Sequence, residues 1–164
     1  MKISKIYGDN YSGYSDKTRD ASRGIVLDGD MVLLSYETKT GMYMIPGGGK
    51  ESDEDDAECC IREVAEETGY LISVSLCTFE MHEYYENWKY VSRYFTGTVT
   101  GKCERKLTKR ESEVGMEPRW VKCDEAIEIF SHHEEYRDIN EERRGIYLRE
   151  YTALCHILKE TYGH

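Results

Sequence analysis

The run from Met42 to Gly69 constrains this chain most. A short apolar strand, Met42–Ile45, is stopped by Pro46 and three consecutive glycines, Gly47, Gly48 and Gly49. Residues 54–68 then read as a helix, because Cys60, Ile61, Val64 and Thr68 fall on one face at helical spacing. Gly69 is a suitable C-terminal stop. A strand that passes through glycines into an amphipathic helix needs a sheet for that helix to pack on, which points to an α/β domain. Opposite the apolar face, Glu63, Glu66 and Glu67 occupy one arc of about 100°.

The flanking sequence supplies the strands. Gly24–Leu27 and Met31–Tyr36 are apolar runs on either side of Asp28-Gly29-Asp30, a hairpin signal. Two further strands are expected at Leu71–Tyr84 and Tyr90–Thr100, joined through Glu83–Lys89. Trp120-Val121 reads as a short strand, and Asp124 N-caps a short helix through Phe130. Asp138-Ile139-Asn140-Glu141 offers a capping-box start for a last helix, with Tyr147, Tyr151, Leu154 and Leu158 as its buried stripe. Residues 1–21 are polar and read as a loosely structured arm with a candidate strand at Ile3–Tyr7. Residues 22–162 read as one domain, without repeats or a long linker.

Composition narrows the partners. The net charge of −10 argues against duplex nucleic acid, which needs Lys and Arg to replace phosphate counterions. No apolar run approaches the ~18–20 residues of a membrane span and no apolar stretch follows Met1, so neither membrane insertion nor secretion is expected. The six Cys show no CxxC pair and read as reduced thiols of a cytoplasmic protein. The 14 Tyr compensate for a modest count of aliphatic residues and predict a core rich in amphipathic rings.

The acidic arc has two readings. Like charges at i,i+3 and i,i+4 cost about 0.2–0.5 kcal/mol per pair on an exposed helix, so three carboxylates together suit a hard divalent cation. The alternative is a solvated acidic helix face. The full spacing decides between them. Gly48 is followed after five residues by Glu54, then after seven by Arg62-Glu63-Val64-Ala65-Glu66-Glu67-Thr68-Gly69-Tyr70. This resembles the Nudix box of the Nudix hydrolase family. Gly41–Gly48 is similar to the strand leading into that box, and Arg119-Trp120-Val121 with Asp124-Glu125-Ala126 to the family's late strand and helix. The resemblance covers about 22–130. Asp53 stands where Gly is common, Cys59-Cys60 where two Ala are common, and Tyr70 replaces an aliphatic residue; no functional group of the box is lost.

The resemblance implies an α/β/α sandwich with a curved mixed sheet and a C-terminal helix. It implies a metal-dependent hydrolase that cleaves the diphosphate linkage of a nucleoside diphosphate derivative, through water attack at phosphorus. Glu63, Glu66, Glu67 and the Gly48 carbonyl would hold Mg²⁺ or Mn²⁺, with Arg62 and Glu54 as paired supports. The general base would be a box carboxylate or one from a later loop, for which Glu113 and Glu117 are the candidates. A sensor that binds without cleaving and an isoprenoid diphosphate isomerase are the alternatives.

Substrate contacts lie outside the box. Tyr84, Tyr85, Trp88 and Tyr90 suit base stacking, or else a homodimer surface or satellite core. Arg23 and Arg93 would hold a phosphate or ribose if both point inward, and structural ion pairs otherwise. Arg105, Lys106, Lys109 and Arg110 form the one basic cluster. Cys59, one turn before Glu63, reads as a small packing residue, and His132-His133 as polar loop.

Overall fold

The computed structural model describes residues 1–163. The strands and helices run β1 (Lys2–Tyr7), β2 (Lys17–Asp28), β3 (Met31–Glu37), β4 (Tyr43–Met44), β5 (Gly47–Gly49), α1 (Asp56–Thr68), β6 (Tyr70–Val74), β7 (Phe79–Tyr85), β8 (Trp88–Lys102), α2 (Lys109–Glu113), β9 (Met116–Lys122), α3 (Cys123–Ser131) and α4 (Glu141–Tyr162), with a 3-10 turn at His132–Tyr136 before α4. The sheet order is β1-β7-β8-β2-β3-β4, with β5 added to β2, β6 to β8 and β9 to β3. The β1–β7 and β2–β8 pairs are parallel and the others antiparallel, so the sheet is mixed.

Alternation along the central strands divides the interior into two cores. Ile25, Leu34 and Tyr94 face α3 and α4, where they meet Phe130, Tyr147, Leu154 and Ile157. Their neighbours Val26, Leu33 and Phe95 point the other way, onto Cys60 and Val64 of α1. The result is the expected α/β/α sandwich. Asp55 N-caps α1 by accepting from the Glu58 N–H at 2.8 Å, and Gly69 ends the helix in the left-handed region, φ 78°. The box helix thus begins two residues later than expected and ends as expected. No helix among the described residues is long and apolar enough to cross a membrane.

Several boundaries are corrected. Ile3–Tyr7 is a strand in register with β7, so the first residues are not loosely structured. The strand expected from Gly24 starts at Lys17, because its first half is polar and lines a cleft instead of a core. The expected strand Leu71–Tyr84 is two strands, β6 and β7, interrupted at 75–78. Trp120-Val121 belongs to a seven-residue strand paired along its whole length with β3. Asn140 caps α4, accepting from the Arg143 N–H at 3.1 Å. The buried side of α4 includes Tyr147, Leu154 and Leu158 as expected. It also includes three charged residues, Arg144, Arg149 and Glu150, that apolar periodicity does not mark.

Candidate active site

The glycine turn and α1 are fitted to each other. β5 hydrogen-bonds to β2 with Ser22 opposite Gly48, and a Cβ on Gly48 would stand 2.5 Å from the Glu63 Cδ. Only glycine lets the backbone approach that carboxylate so closely. Arg62 organises the rest. Its Nε and Nη2 donate to the two oxygens of Glu54 at 2.8 and 2.7 Å, a bidentate pair. Its Nη1 donates to Glu63 at 3.0 Å and Glu66 at 3.1 Å, and Nη2 also to the Gly49 carbonyl at 3.0 Å. One guanidinium therefore holds three carboxylates and the turn together.

The carboxylates differ in electrostatics. The hydrogen bond from Arg62 brings Glu54 down to about 2, against the opposing effect of burial. Burial raises Glu63; Arg62 opposes it, while Glu66 and Glu111 add to it. Glu67 is raised furthest, by burial and then by the charges of Glu111 and Glu63. It accepts from Ser35 Oγ at 3.0 Å and the Gly47 N–H at 3.4 Å. Among the described residues no three His, Cys, Asp or Glu side chains converge into a finished metal cage. Arg62 already occupies two of the three. The donor set nevertheless fits a hard cation: every donor is oxygen, the carboxylates are strained by like charge, and the Gly48 cradle has room for no side chain. Cys59 donates its thiol to the Gly48 carbonyl at 3.5 Å, and burial with Glu54 nearby holds it as a thiol, up to about 11. It is a packing residue.

A cleft of about 930 Å³ opens beside these residues, with Gly47, Gly48, Gly49, Glu63 and Glu67 at one end. Its wall is the half of β2 and β8 that faces α4. Arg23 lies in it and donates Nε–H to Ser92 Oγ at 3.2 Å. Trp88 and Tyr90 line it as a stacked pair, with centroids 5.6 Å apart and planes at 20°.

Other expected contacts lie elsewhere. Arg93 does not line the cleft. Its strand parity is that of Phe95, so it points to the α1 side and pairs with Asp20 (2.7 Å), Glu80 (3.1 Å) and Asp56 (3.5 Å). Tyr84 stacks on Tyr7 at 4.7 Å, outside the cleft. Tyr85 lines the cleft, but its ring is wedged against Gly8 and its hydroxyl against Gly145, where a Cβ would stand 2.7 Å away. It is a fixed wall, not a free platform. Glu113 ends α2 near Lys109, and Glu117 pairs with Arg119 at 2.9 Å; neither lines the cleft. The carboxylate that this segment does bring to the cleft is Glu111, at the third position of a capping box with Thr108. The T-x-x-E spacing was its available signal. Arg19 was equally legible as i−4 from Arg23 on one strand face; Glu83, Arg144 and Arg149 left no such trace. The two ring nitrogens of His132 face the carboxylates of Glu128 and Glu135 on an exposed turn, and Arg105 ties the α2 segment to the Met116 carbonyl at 2.6 Å.

Comparison with known proteins agrees with this geometry. The family model for the NUDIX domain matches residues 17–142. Nudix hydrolase 21, chloroplastic, from Arabidopsis thaliana is 30% identical over 105 residues, covering 61% of this chain and 50% of its own. The chain thus spans about half the length of that relative. A solved NUDIX hydrolase from Nitrosomonas europaea superposes with a TM-score of 0.58 at 23% identity, covering 84% of this chain and 90% of its own. The mutator MutT protein from Bacillus halodurans gives 0.50 at 30% identity, covering 67% and 72%.

Proposed function

Because this chain belongs to the NUDIX domain family, we propose that it is a divalent-metal-dependent hydrolase of a nucleoside diphosphate linked to a second group. The observation that carries the reading is the convergence of Gly48, Glu63 and Glu67 at the end of an arginine-bearing cleft, with Arg62 holding Glu63 and Glu66. Glu63, Glu66, Glu67 and the Gly48 carbonyl would hold Mg²⁺ or Mn²⁺. When bound, such a cation supplies positive charge at the phosphoryl oxygens and lowers the pKa of water.

The chain's own residues do the rest. Arg19 and Arg23 face the cleft beside the glycine turn and bind phosphate oxygens that would otherwise meet an acidic protein. Glu111 is the acceptor for the proton of the attacking water. The water oxygen bonds to phosphorus in line as the bridging P–O bond breaks, and the electron pair leaves with the second phosphate. The products are a nucleoside monophosphate and the phosphorylated second group. Trp88 and Tyr90 stack a ring of the substrate. A binder that does not cleave has no use for every box carboxylate, so catalysis is the better reading.

The test is turnover by the purified chain of a panel of nucleoside diphosphate derivatives with Mg²⁺, then EDTA, then Mg²⁺ or Mn²⁺ again. The expected result is activity abolished by chelation and restored by either ion. Activity that survives exhaustive chelation rejects the mechanism.

A further inference from the structure

Glu111 lines the cleft from α2, an element of five residues none of which is buried. Its own hydrogen bonds are local. Oε1 accepts the Thr108 N–H at 2.9 Å, and the Glu111 N–H donates to Thr108 Oγ1 at 3.2 Å. This capping box fixes the carboxylate to α2 but does not fix α2 to the cleft. Glu63 and Glu67 line the same cleft and carry the same sign, so Coulomb repulsion pushes α2 outward. With no apolar anchor to resist that push, α2 is placed by polar ties.

Those ties lead to the turn after β3. The Thr38 and Lys39 N–H groups donate to the Gly115 and Val114 carbonyls, each at 3.1 Å, just past the end of α2. Before α2, the Lys106 N–H donates to the Glu66 carbonyl at 2.8 Å. Both ties hold backbone that lies outside α2. Within it, Lys109 and Glu113 meet only each other, 4.0 Å apart. Among the described residues, Arg110 is the one side chain of α2 with a polar partner in another element: its Nη2 lies 3.5 Å from Glu37 Oε2. Glu37 ends β3, opposite Met116, and is 1% exposed. Its Oε1 accepts from Thr40 Oγ1 at 2.8 Å, whereas its Oε2 is buried and accepts no hydrogen bond. A buried carboxylate oxygen without a partner is costly, and Arg110 brings the guanidinium that faces it. The Arg110 side chain is 59% exposed and would otherwise range through solvent. Glu37, locked in its strand, gives it one position.

Resting on the reading of Glu111 as the proton acceptor, we propose that Glu37 is a positioning residue for the reaction. It does not line the cleft. It holds Arg110, and through Arg110 the adjacent Glu111, against the repulsion of Glu63 and Glu67. What it fixes is the distance from the acceptor to the attacking water. A misplacement of about 1 Å at such a group costs on the order of 10²-fold in rate.

The test is a double-mutant cycle read in rates. The kcat and KM are measured in Mg²⁺ for the parent, Glu37→Gln, Glu111→Gln and the double variant, with ADP-ribose, ADP-glucose and GTP as separate substrates. Glu37→Gln is expected to lower kcat at least tenfold with KM within twofold. Where Glu111 is already Gln, the same change should lower kcat less than twofold further. Arg110→Ala, which removes no buried side chain, should reproduce both results and carries the test if Glu37→Gln does not fold. Arg110→Lys keeps a cation for Glu37 and should return kcat to within threefold of the parent. An equal loss with and without Glu111 would make Glu37 structural only. A raised KM with kcat kept would make Arg110 a substrate contact, and kcat within twofold of the parent in the folded variants would leave the tie without consequence. Each of these overturns the proposal. No turnover of any substrate by the parent overturns the hydrolase reading and this one with it; turnover without coupling between positions 37 and 111 overturns this one alone.

Discussion

Glu67 is buried beside two side chains of its own sign, and burial, Glu111 and Glu63 together raise its carboxyl well above the ordinary range. A folded-state pKa above the unfolded one means that ionisation opposes folding. The cost is absent below the unfolded value and grows as pH rises toward the folded one. In EDTA, Glu67→Gln should therefore melt at or above the parent at pH 7, with the gain vanishing near pH 4. In Mg²⁺ the order should reverse, because the parent gains stability by mass action and the variant gains less. Turnover of the variant should fall on the order of 10²–10³-fold. Calorimetric melts with and without the ion, alongside rates, check all three; near-normal turnover with an unchanged metal shift would reduce Glu67 to a structural acid. Glu111→Gln should lower kcat by about 10²–10³-fold, as loss of a general base does, while Glu113→Gln and Glu117→Gln stay within about twofold. The box residues were legible because their spacing is fixed by one helix. Arg93 was not, since which side of β8 it faces depends on which core Phe95 joins, and a single strand's alternation leaves that sign open.

Between the glycine turn and the first residue of α1, local chemistry fixes the element without help from the rest of the fold. Asp55→Ala removes the cap and should cost about 1 kcal/mol, with turnover near that of the parent. Gly48→Ala is different in kind. Its methyl would stand 2.5 Å from the Glu63 Cδ, so Glu63 must move off the turn. The Mg²⁺ concentration for half-maximal activity should rise at least tenfold, in a titration of rate against Mg²⁺. An unchanged midpoint would show that the turn and Glu63 are not mutually fitted. Helix α1, the hairpin and the last helix were readable from period, caps and turns. The start of β2 was not. Its Lys17, Thr18, Arg19 and Asp20 have the composition of a loop, and the strand exists because β8 pairs with it across a distant stretch of sequence.

For the molecule as a whole, acid resistance should depend on the Arg62 hub. Glu54 lies at about 2 in the folded chain, below its ordinary value of 4.5. Its contribution is therefore fully present above that ordinary value and is lost as pH falls through about 2. Glu54→Gln should lower stability at pH 7 and progressively less toward pH 2, measured by urea unfolding across that range; a deficit independent of pH would mean packing, not charge, carries the contact. An α/β domain was legible from the strand–glycine–helix run, and the α/β/α layering from the family resemblance; its physical basis is that both parities of β2, β3 and β8 are apolar and take cover on both faces. The charged side of α4 was not, because Arg149 and Glu150 are buried only through partners elsewhere: the Tyr94 hydroxyl and the Ile45 N–H both donate to Glu150, each at 2.6 Å.

The Tyr85 ring sits between Gly8 and Gly145, residues near opposite ends of the described chain. The end of the cleft at the glycine turn is drawn chiefly from β2, β5 and α1, but its far wall closes only when the first strand, the β7–β8 turn and α4 have all arrived. Pairings of such long sequence separation form late, because loop-closure entropy is met before any contact is gained. A chain emerging from the ribosome would thus own its acidic helix and glycine turn well before it owned the far wall of its cleft. The far wall is the last part of the cleft that this fold completes as it is made, and the first that a break near either terminus would open.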